Sequence, residues 1–134
     1  GRTLKLKDVE VLGVSDGHFN YTTPMYFGQP YCVGKTARLK AGNVEIIINS
    51  VPRQTHDDRM IFITGGDVRD YKLICLKSGV AYKAFYSTLP EVKKIVECDP
   101  PGICCCDLNT FDFKNIRRPI FPLDDDTNLK LTFL

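Results

Sequence analysis

The sequence predicts an all-β, mainly antiparallel domain, a sandwich or partly open barrel of about seven to nine short strands with one short helix near residues 89–97. Apolar residues recur at two-residue spacing in many short runs, and Gly, Pro, Asn or Asp bounds each run. This pattern is typical of half-buried strands joined by turns. No internal repeat or low-complexity run divides the chain, so we expect a single β-rich domain over residues 1–134.

The first two predicted strand segments lie near the start of the chain. In residues 3–14 the apolar parity changes at Lys7 and Asp8, so a bulge or bend is expected there. Pro24 interrupts the aromatic segment 19–27. Because proline cannot donate to a strand ladder, we expect this segment at a sheet edge or in a loop.

The next strand candidate covers residues 37–49, with a turn expected at residues 41–43. Its second half, residues 44–48, is almost continuously apolar, which is typical of a strand buried on both faces. Residues 59–64 (RMIFIT) are also rich in apolar side chains and end at two glycines. They are therefore predicted as a further strand.

The clearest predicted hairpin pairs residues 71–76 with residues 80–86 across a short turn that contains glycine. Pro90 suits the first turn of a helix, and apolar residues follow it at helical spacing, which places the short helix there. Two more strands are predicted at residues 110–113 and 128–133.

Charge and hydropathy argue against two classes of partner. The chain has 18 Lys and Arg against 16 Asp and Glu, so its net charge of +2 gives no strong field to attract nucleic acid. No apolar run approaches the roughly 20 residues of a membrane-spanning helix, so no membrane span is expected. The chain begins at Gly1 rather than Met, from which we expect a processed product or an excised domain.

Six cysteines are the most informative feature of the sequence. They are Cys32, Cys75, Cys98, Cys104, Cys105 and Cys106. Their even number favours disulfides in which the three neighbouring cysteines pair with the three distant ones, although roughly 15 connectivities are possible. The alternatives are a zinc site, whose usual spacing is mostly unmet, and reduced cysteines packed as small hydrophobic side chains.

A sequon at residues 20–22 makes Asn20 a glycosylation candidate. Together with the disulfides, it predicts a secreted or extracellular glycoprotein. A cytoplasmic protein with reduced cysteines, such as a viral accessory factor, is the alternative.

A thiol enzyme is the rival hypothesis from another functional class. Gly102-Ile103-Cys104 resembles the Gly-x-Cys of chymotrypsin-like viral cysteine proteases, although Cys105 follows where that family has glycine. The resemblance implies Cys104 as the nucleophile, and only His18 and His56 are available as its base. Residues 124–126 are three aspartates without the spacing of a calcium loop, so we predict no metal site and no cofactor.

The favoured interpretation is a non-enzymatic, disulfide-stabilised β-sandwich that binds a protein partner. Aromatic side chains on a loop or edge are enriched at protein interfaces, because they offer a large contact area at a low entropic cost. The predicted binding surface combines such side chains with nearby cations. Its residues are Tyr21, Tyr26, Phe27, Tyr31, Lys35 and Arg38.

Overall fold

The computed structural model of the chain describes residues 3–98 and 107–125. The chain divides into two compact units, Gly1–Ile95 and Val96–Leu134. All the strands and α-helices of the described residues lie in the first unit. The single domain expected over residues 1–134 stays a prediction.

The strands form two small antiparallel sheets. In chain order they are β1 (Glu10–Ser15), β2 (His18–Asn20), β3 (Pro30–Cys32), β4 (Thr36–Ala41) and β5 (Val44–Asn49). The larger sheet has the order β1-β4-β5, and the smaller sheet pairs β2 with β3. A tight turn at Gly42, with a φ of 59°, joins β4 to β5. The turn predicted at residues 41–43 is confirmed.

The helical elements are short. They are the α-helices α1 (Arg59–Phe62) and α2 (Lys83–Tyr86) and the 3₁₀ turns Pro24–Tyr26, Val68–Asp70 and Leu108–Thr110. The turn at Pro24 agrees with the expectation that this proline lies in a loop. The bend expected at Lys7 and Asp8 is present as well, with a φ of 54° at Asp8.

The predicted sandwich or barrel is wrong. The described residues contain five strands rather than seven to nine, and the two small sheets close into neither architecture. Residues 89–97 are not helical, because the helix in this part of the chain ends at Tyr86. Residues 110–113 form no strand, and residues 128–133 lie outside the described residues.

Residues 59–64 fold as α1 and its closing turn instead of the predicted strand. The backbone N–H of Arg59 donates to the carboxylate of Asp57 at 3.1 Å, which satisfies a donor that the helix start leaves free. The hydroxyl of Thr64 donates to the carbonyl oxygens of Met60 and Ile61 at 3.1 and 2.8 Å. Met60, Ile61 and Thr64 are all buried, so one helical face of this segment enters the core.

The predicted hairpin of residues 71–76 and 80–86 is also wrong. Residues 71–79 belong to no strand, and the second segment ends as α2. Tyr86 is buried at the end of that helix, and its hydroxyl donates to the carbonyl oxygen of Asp57 at 3.2 Å. The alternating sequence of residues 80–86 does not indicate a helix. The helical conformation is accompanied by the hydrogen bond from Tyr86 to Asp57, which is distant in sequence.

Two glycine turns bring the β2-β3 sheet close to the larger sheet. Gly17 precedes β2 with a φ of 85°, and a Cβ atom added there would lie 1.9 Å from the carbonyl oxygen of Gly34. The backbone N–H of Val33 donates to the carbonyl oxygen of Gly17 at 3.0 Å, and Val33 is fully buried. The close backbone contact at this point therefore depends on glycine.

The second unit is described mainly between residues 107 and 125. The carboxylate of Asp107 accepts the backbone N–H of Asn109 at 3.0 Å at the start of a 3₁₀ turn. Further along, Arg118 forms an ion pair with Asp124, which also accepts the backbone N–H of Ile120 at 2.7 Å.

Candidate functional site

One face of the β1-β4-β5 sheet is entirely apolar. Opposed residues in an antiparallel pair lie on the same face, so the register identifies the side chains of this apolar sheet face. They are Val11, Val14, Ala37, Leu39, Ala41, Val44, Ile46 and Ile48. Val14 is 72% exposed, Val44 is 60% exposed and Ile48 is 52% exposed. The expectation that residues 44–48 form a buried strand is therefore wrong in this unit.

A bulge in β1 keeps this face apolar. Val11 opposes Leu39 and Val14 opposes Ala37, with a register shift between Val11 and Gly13. A strand without the bulge would turn one of the two valines to the other face, because successive side chains alternate. A Cβ atom added at Gly13 would lie 2.1 Å from the carbonyl oxygen of Thr64, so the bulge also brings β1 against the turn after α1.

The opposite face of the same sheet is mostly polar, and α1 with its closing turn covers part of it. Arg38 reaches from β4 to that turn, where its Nε donates to the carbonyl oxygen of Thr64 at 3.2 Å and a terminal nitrogen donates to that of Gly65 at 3.1 Å. The side-chain amide of Asn49 contacts the Met60 sulfur at 3.4 Å. The polar face is thus turned inward and the apolar face outward.

Glu45 completes the hydrogen bonding of the polar face. Its Oε2 accepts from Arg38 Nη1 at 2.9 Å and from the hydroxyl of Tyr71 at 2.6 Å. The hydrogen bond from Tyr71, with a smaller contribution from Arg38, lowers the pKa of Glu45. The charged side chains of Arg38 and Glu45 therefore have partners inside the unit.

The predicted aromatic residues of β2-β3 pack mainly against one another. The ring centroid of Tyr21 lies 4.6 Å from that of Tyr31, 5.4 Å from that of Tyr26 and 5.4 Å from that of His56. Burial raises the pKa of Tyr21, and its neighbour Tyr31 raises it further. Tyr21 is only 5% exposed, so it supports the cluster from within, whereas Phe27 is exposed at its rim.

The two cations predicted for this surface lie elsewhere. Arg38 belongs to the polar face of the larger sheet, as its hydrogen bonds there show. Lys35 is exposed just before β4 and does not line the cleft beside the aromatic cluster.

A cleft of about 730 Å³ runs between β2 and α1. Residues 18–22 line it together with Arg59, Phe62 and Ile63, and with Phe27, Gly28, Pro30 and Tyr31 from the segment that leads into β3. Phe62 is largely exposed, and the guanidinium carbon of Arg59 lies 4.3 Å from its ring centroid.

Asp57 connects the two walls of this cleft. Its buried carboxylate accepts the backbone N–H of Thr22 at 2.9 Å, the hydroxyl of Thr22 at 3.1 Å and the backbone N–H of Arg59 at 3.1 Å. Burial raises the pKa of Tyr86, whose hydroxyl binds the carbonyl oxygen of Asp57. Asp57 therefore connects the segment that follows β2 to the start of α1. Through Tyr86 it also connects both to the end of α2.

The predicted disulfide framework is wrong for the described cysteines. Cys32, Cys75 and Cys98 are free thiols, and Cys75 and Cys98 are exposed. The sulfur of Cys32 accepts the backbone N–H of Gly34 at 3.4 Å instead. The other three candidates, Cys104, Cys105 and Cys106, lie outside the described residues. The description as a disulfide-stabilised β-sandwich glycoprotein is therefore not retained, whereas the secreted or extracellular location stays a prediction. Asn20 stands in β2 and is exposed.

His18 and His56, the two candidate bases of the thiol-enzyme hypothesis, have different surroundings. His18 is exposed and its Nδ1 lies 3.4 Å from the carboxylate of Asp16. His56 packs edge-on against Tyr26, with ring centroids 5.0 Å apart. Cys104 lies outside the described residues, so the thiol enzyme stays a prediction.

Within residues 3–98 and 107–125, no group of three or more His, Cys, Asp or Glu side chains is arranged to hold a metal ion. In the same part of the chain, no helix has both the length and the hydropathy that crossing a membrane requires.

Sequence reasoning missed the apolar sheet face and the role of Asp57. A signal for the first exists in the printed sequence, because residues 37, 39 and 41 and residues 44, 46 and 48 are apolar on both sides of one turn. A hairpin with that pairing places all of them on one face. Asp57 carries no such signal, since its partners Thr22 and Tyr86 are distant in sequence.

The described residues thus define a small antiparallel β unit with an outward apolar sheet face and a separate aromatic cleft. The family described as MlrC C-terminus matches residues 3–115, which is most of the sequence. The chain belongs to the MlrC C-terminus family. No curated protein and no solved structure matches it significantly.

Proposed function

We propose that this chain is a non-catalytic interaction module that docks through its apolar sheet face onto the remaining part of an MlrC-type protein. The observation that carries the proposal is the inverted sheet, whose polar face packs inward while Val11, Val14, Val44 and Ile48 face solvent. Large apolar patches on soluble proteins mark interaction surfaces, because exposing them to water is unfavourable.

The composition of β5 supports the same proposal. Residues 44–48 are apolar except for Glu45, a pattern typical of a largely buried strand, yet Val44 and Ile48 are exposed in the unit described here. A partner on the apolar sheet face resolves this conflict. Full burial of a valine or isoleucine side chain contributes roughly 1.5 to 3 kcal/mol. Burying the remaining exposed surface of these four side chains therefore offsets part of the free-energy cost of association.

The family assignment supports the choice of partner. A family described as the C-terminus of MlrC accompanies another part of a longer polypeptide, which makes that part the natural occupant of the face. In this proposal the module supports that other part of the polypeptide without taking part in any chemistry it performs.

The test is a binding titration against an MlrC protein that lacks its C-terminus. We compare the wild-type chain with Val14→Thr, which keeps the side-chain shape and adds a hydroxyl that the interface would have to desolvate. The expected result is at least a roughly tenfold loss of affinity, about 1.4 kcal/mol. Val80→Thr is the matched control, because Val80 is 68% exposed but lies outside the sheet.

Equal binding by Val14→Thr and the wild type would remove the apolar sheet face from the interaction. The same conclusion follows if Val80→Thr weakens binding as much as Val14→Thr. Absence of any binding by the wild-type chain contradicts the choice of partner.

A further inference from the structure

The outer face of the β2-β3 hairpin carries a histidine and a cysteine. On the inner face Phe19 opposes Tyr31, and their ring centroids lie 5.7 Å apart within the aromatic cluster. Successive side chains of a strand alternate between faces, so His18 and Cys32 lie on the opposite face. His18 is exposed there and Cys32 is half-buried, so small molecules in the solvent reach this face.

The register places these two residues directly opposite each other. His18 opposes Cys32 in the antiparallel ladder. The next pair is hydrogen-bonded, because the backbone N–H of Val33 donates to the carbonyl oxygen of Gly17 at 3.0 Å. Hydrogen-bonded and non-hydrogen-bonded pairs alternate along an antiparallel ladder. His18 and Cys32 therefore form a non-hydrogen-bonded pair, in which Cβ atoms lie roughly 4.5 to 5.5 Å apart.

Asp16 contacts the imidazole of His18. Its carboxylate accepts the backbone N–H of His18 at 3.1 Å and lies 3.4 Å from Nδ1 of the same residue. The backbone hydrogen bond from His18, followed by the charge interaction with its ring, lowers the pKa of Asp16. A neutral imidazole that directs its Nδ1 proton to a carboxylate keeps Nε2 as a proton acceptor.

The sulfur of Cys32 has a hydrogen-bond donor of its own. The backbone N–H of Gly34 donates to Sγ at 3.4 Å. Such a hydrogen bond strengthens when its acceptor carries a negative charge, as the sulfur does after losing its proton. A thiol, an imidazole and a carboxylate thus follow one another in the order nucleophile, base and orienting group.

We propose that Cys32 is a site of thiol–disulfide exchange, at which a small-molecule disulfide forms a mixed disulfide with the protein. His18 accepts the thiol proton, and the Cys32 thiolate attacks one sulfur of the disulfide. The S–S bond of the small molecule breaks, and the released thiolate takes up the proton from His18. Cys32 is oxidised to a mixed disulfide, and half of the small molecule is reduced to a thiol. The site lies outside the apolar sheet face and does not depend on the docking proposal.

Cys75 and Cys98 provide controls in the same chain. Both are exposed free thiols, and neither lies in a strand, so no ladder places a histidine opposite them. The only other histidine of the sequence, His56, packs edge-on against Tyr26. If exposure alone set the reactivity, the half-buried Cys32 would react more slowly than these two thiols.

The experiment adds the neutral disulfide of mercaptoethanol to the fully reduced chain at about pH 7. Mass spectrometry gives the rate of mixed-disulfide formation at each cysteine, after an acid quench and digestion at low pH. We expect Cys32 to react about tenfold faster than Cys75 or Cys98, because the rate rises with the fraction of thiolate.

A variant tests the role of His18. His18→Ala changes an exposed side chain, so the fold is expected to be retained. We expect the rate at Cys32 to fall about tenfold at about pH 7, while the rate at Cys75 stays the same. At about pH 10, above the ordinary thiol pKa of about 8.5, a thiol ionises without a base. The difference between the variant and the wild type is then expected to close.

Three outcomes overturn the proposal. One is a rate at Cys32 that does not exceed the rate at Cys75 in the wild-type chain. Another is an unchanged rate at Cys32 in His18→Ala. The third is a loss in this variant that persists undiminished at the higher pH, which would mean that His18 affects access to the thiol rather than its proton.

Discussion

The two sheets of the first unit bury their apolar side chains in opposite directions. On β2-β3 the rings of Phe19, Tyr21 and Tyr31 pack together, and Tyr21 is almost fully enclosed. On β1-β4-β5 the apolar side chains face solvent, and the charged Arg38 and Glu45 are turned inward. The apolar rings of the first sheet are thus buried within the unit, whereas in our proposal a partner covers the apolar side chains of the second. We therefore expect substitutions on β2-β3 to change mainly the stability of the chain, and substitutions on the apolar sheet face to change mainly the proposed binding.

The largest effect on stability is expected at Asp57, which joins the segment after β2 to the start of α1. Asp57→Ala removes a buried carboxylate that accepts three hydrogen bonds, from two backbone N–H groups and from the hydroxyl of Thr22. We expect the free energy of unfolding to fall by about 3 kcal/mol, as measured by urea denaturation. Asp16→Ala is the control, because the side chain of Asp16 is exposed. Comparable losses in the two variants would show that Asp57 is no special anchor.

A matched pair of valines measures the contrast between the regions directly. Val33 is fully buried, and Val14 is 72% exposed on the apolar sheet face. Val33→Ala is expected to lower the free energy of unfolding by about 2 kcal/mol, because it removes buried carbon atoms and leaves a cavity.

Val14→Ala in the isolated chain is expected to change the free energy of unfolding by less than about 0.5 kcal/mol. Denaturation of both variants in the same buffer gives the comparison. A large cost for Val14→Ala in the isolated chain would mean that this face is already covered by the protein itself.

The inward polar face predicts a smaller, pH-dependent effect. The hydrogen bond from Tyr71, followed by the contribution of Arg38, lowers the pKa of Glu45 in the folded state. The folded protein therefore binds fewer protons here than the unfolded chain. The resulting stabilisation is present above the ordinary glutamate pKa, near 4.3, and is lost as the pH falls through the lowered value.

Glu45→Gln is expected to flatten this acid dependence of the unfolding free energy between about pH 5 and pH 3. The measurement is a series of denaturation curves over that range. Glu10→Gln, on the exposed end of β1, serves as the control and is expected to follow the wild type. Parallel curves for all three proteins would rule out the proposed contribution of Glu45.

Local patterns predicted the larger sheet better than the rest of the fold. The turn at Gly42 and the strands on either side of it follow from alternation and a glycine with positive φ, which are properties of neighbouring residues. The α1 segment could not be predicted this way. Its sequence suits a strand as well, and the helix depends on hydrogen bonds to Asp57 and burial of Met60.

The sites were predictable to different degrees. The aromatic residues between positions 19 and 31 do form a cluster beside a cleft. Composition does not show which of these side chains are exposed, and Tyr21 is buried. Cysteine parity suggested disulfides, whereas the three described cysteines are free. The direction in which a sheet face points depends on what packs on its other side, and here that is α1.

The most direct test of the docking proposal is a methyl NMR titration of the chain with an MlrC protein that lacks its C-terminus. We expect the methyl signals of Val11, Val14, Val44 and Ile48 to shift or broaden together, while those of the buried Val33 stay in place. Shifts confined to Ile63 in the cleft, or no shifts in the apolar sheet face at saturation, would contradict it.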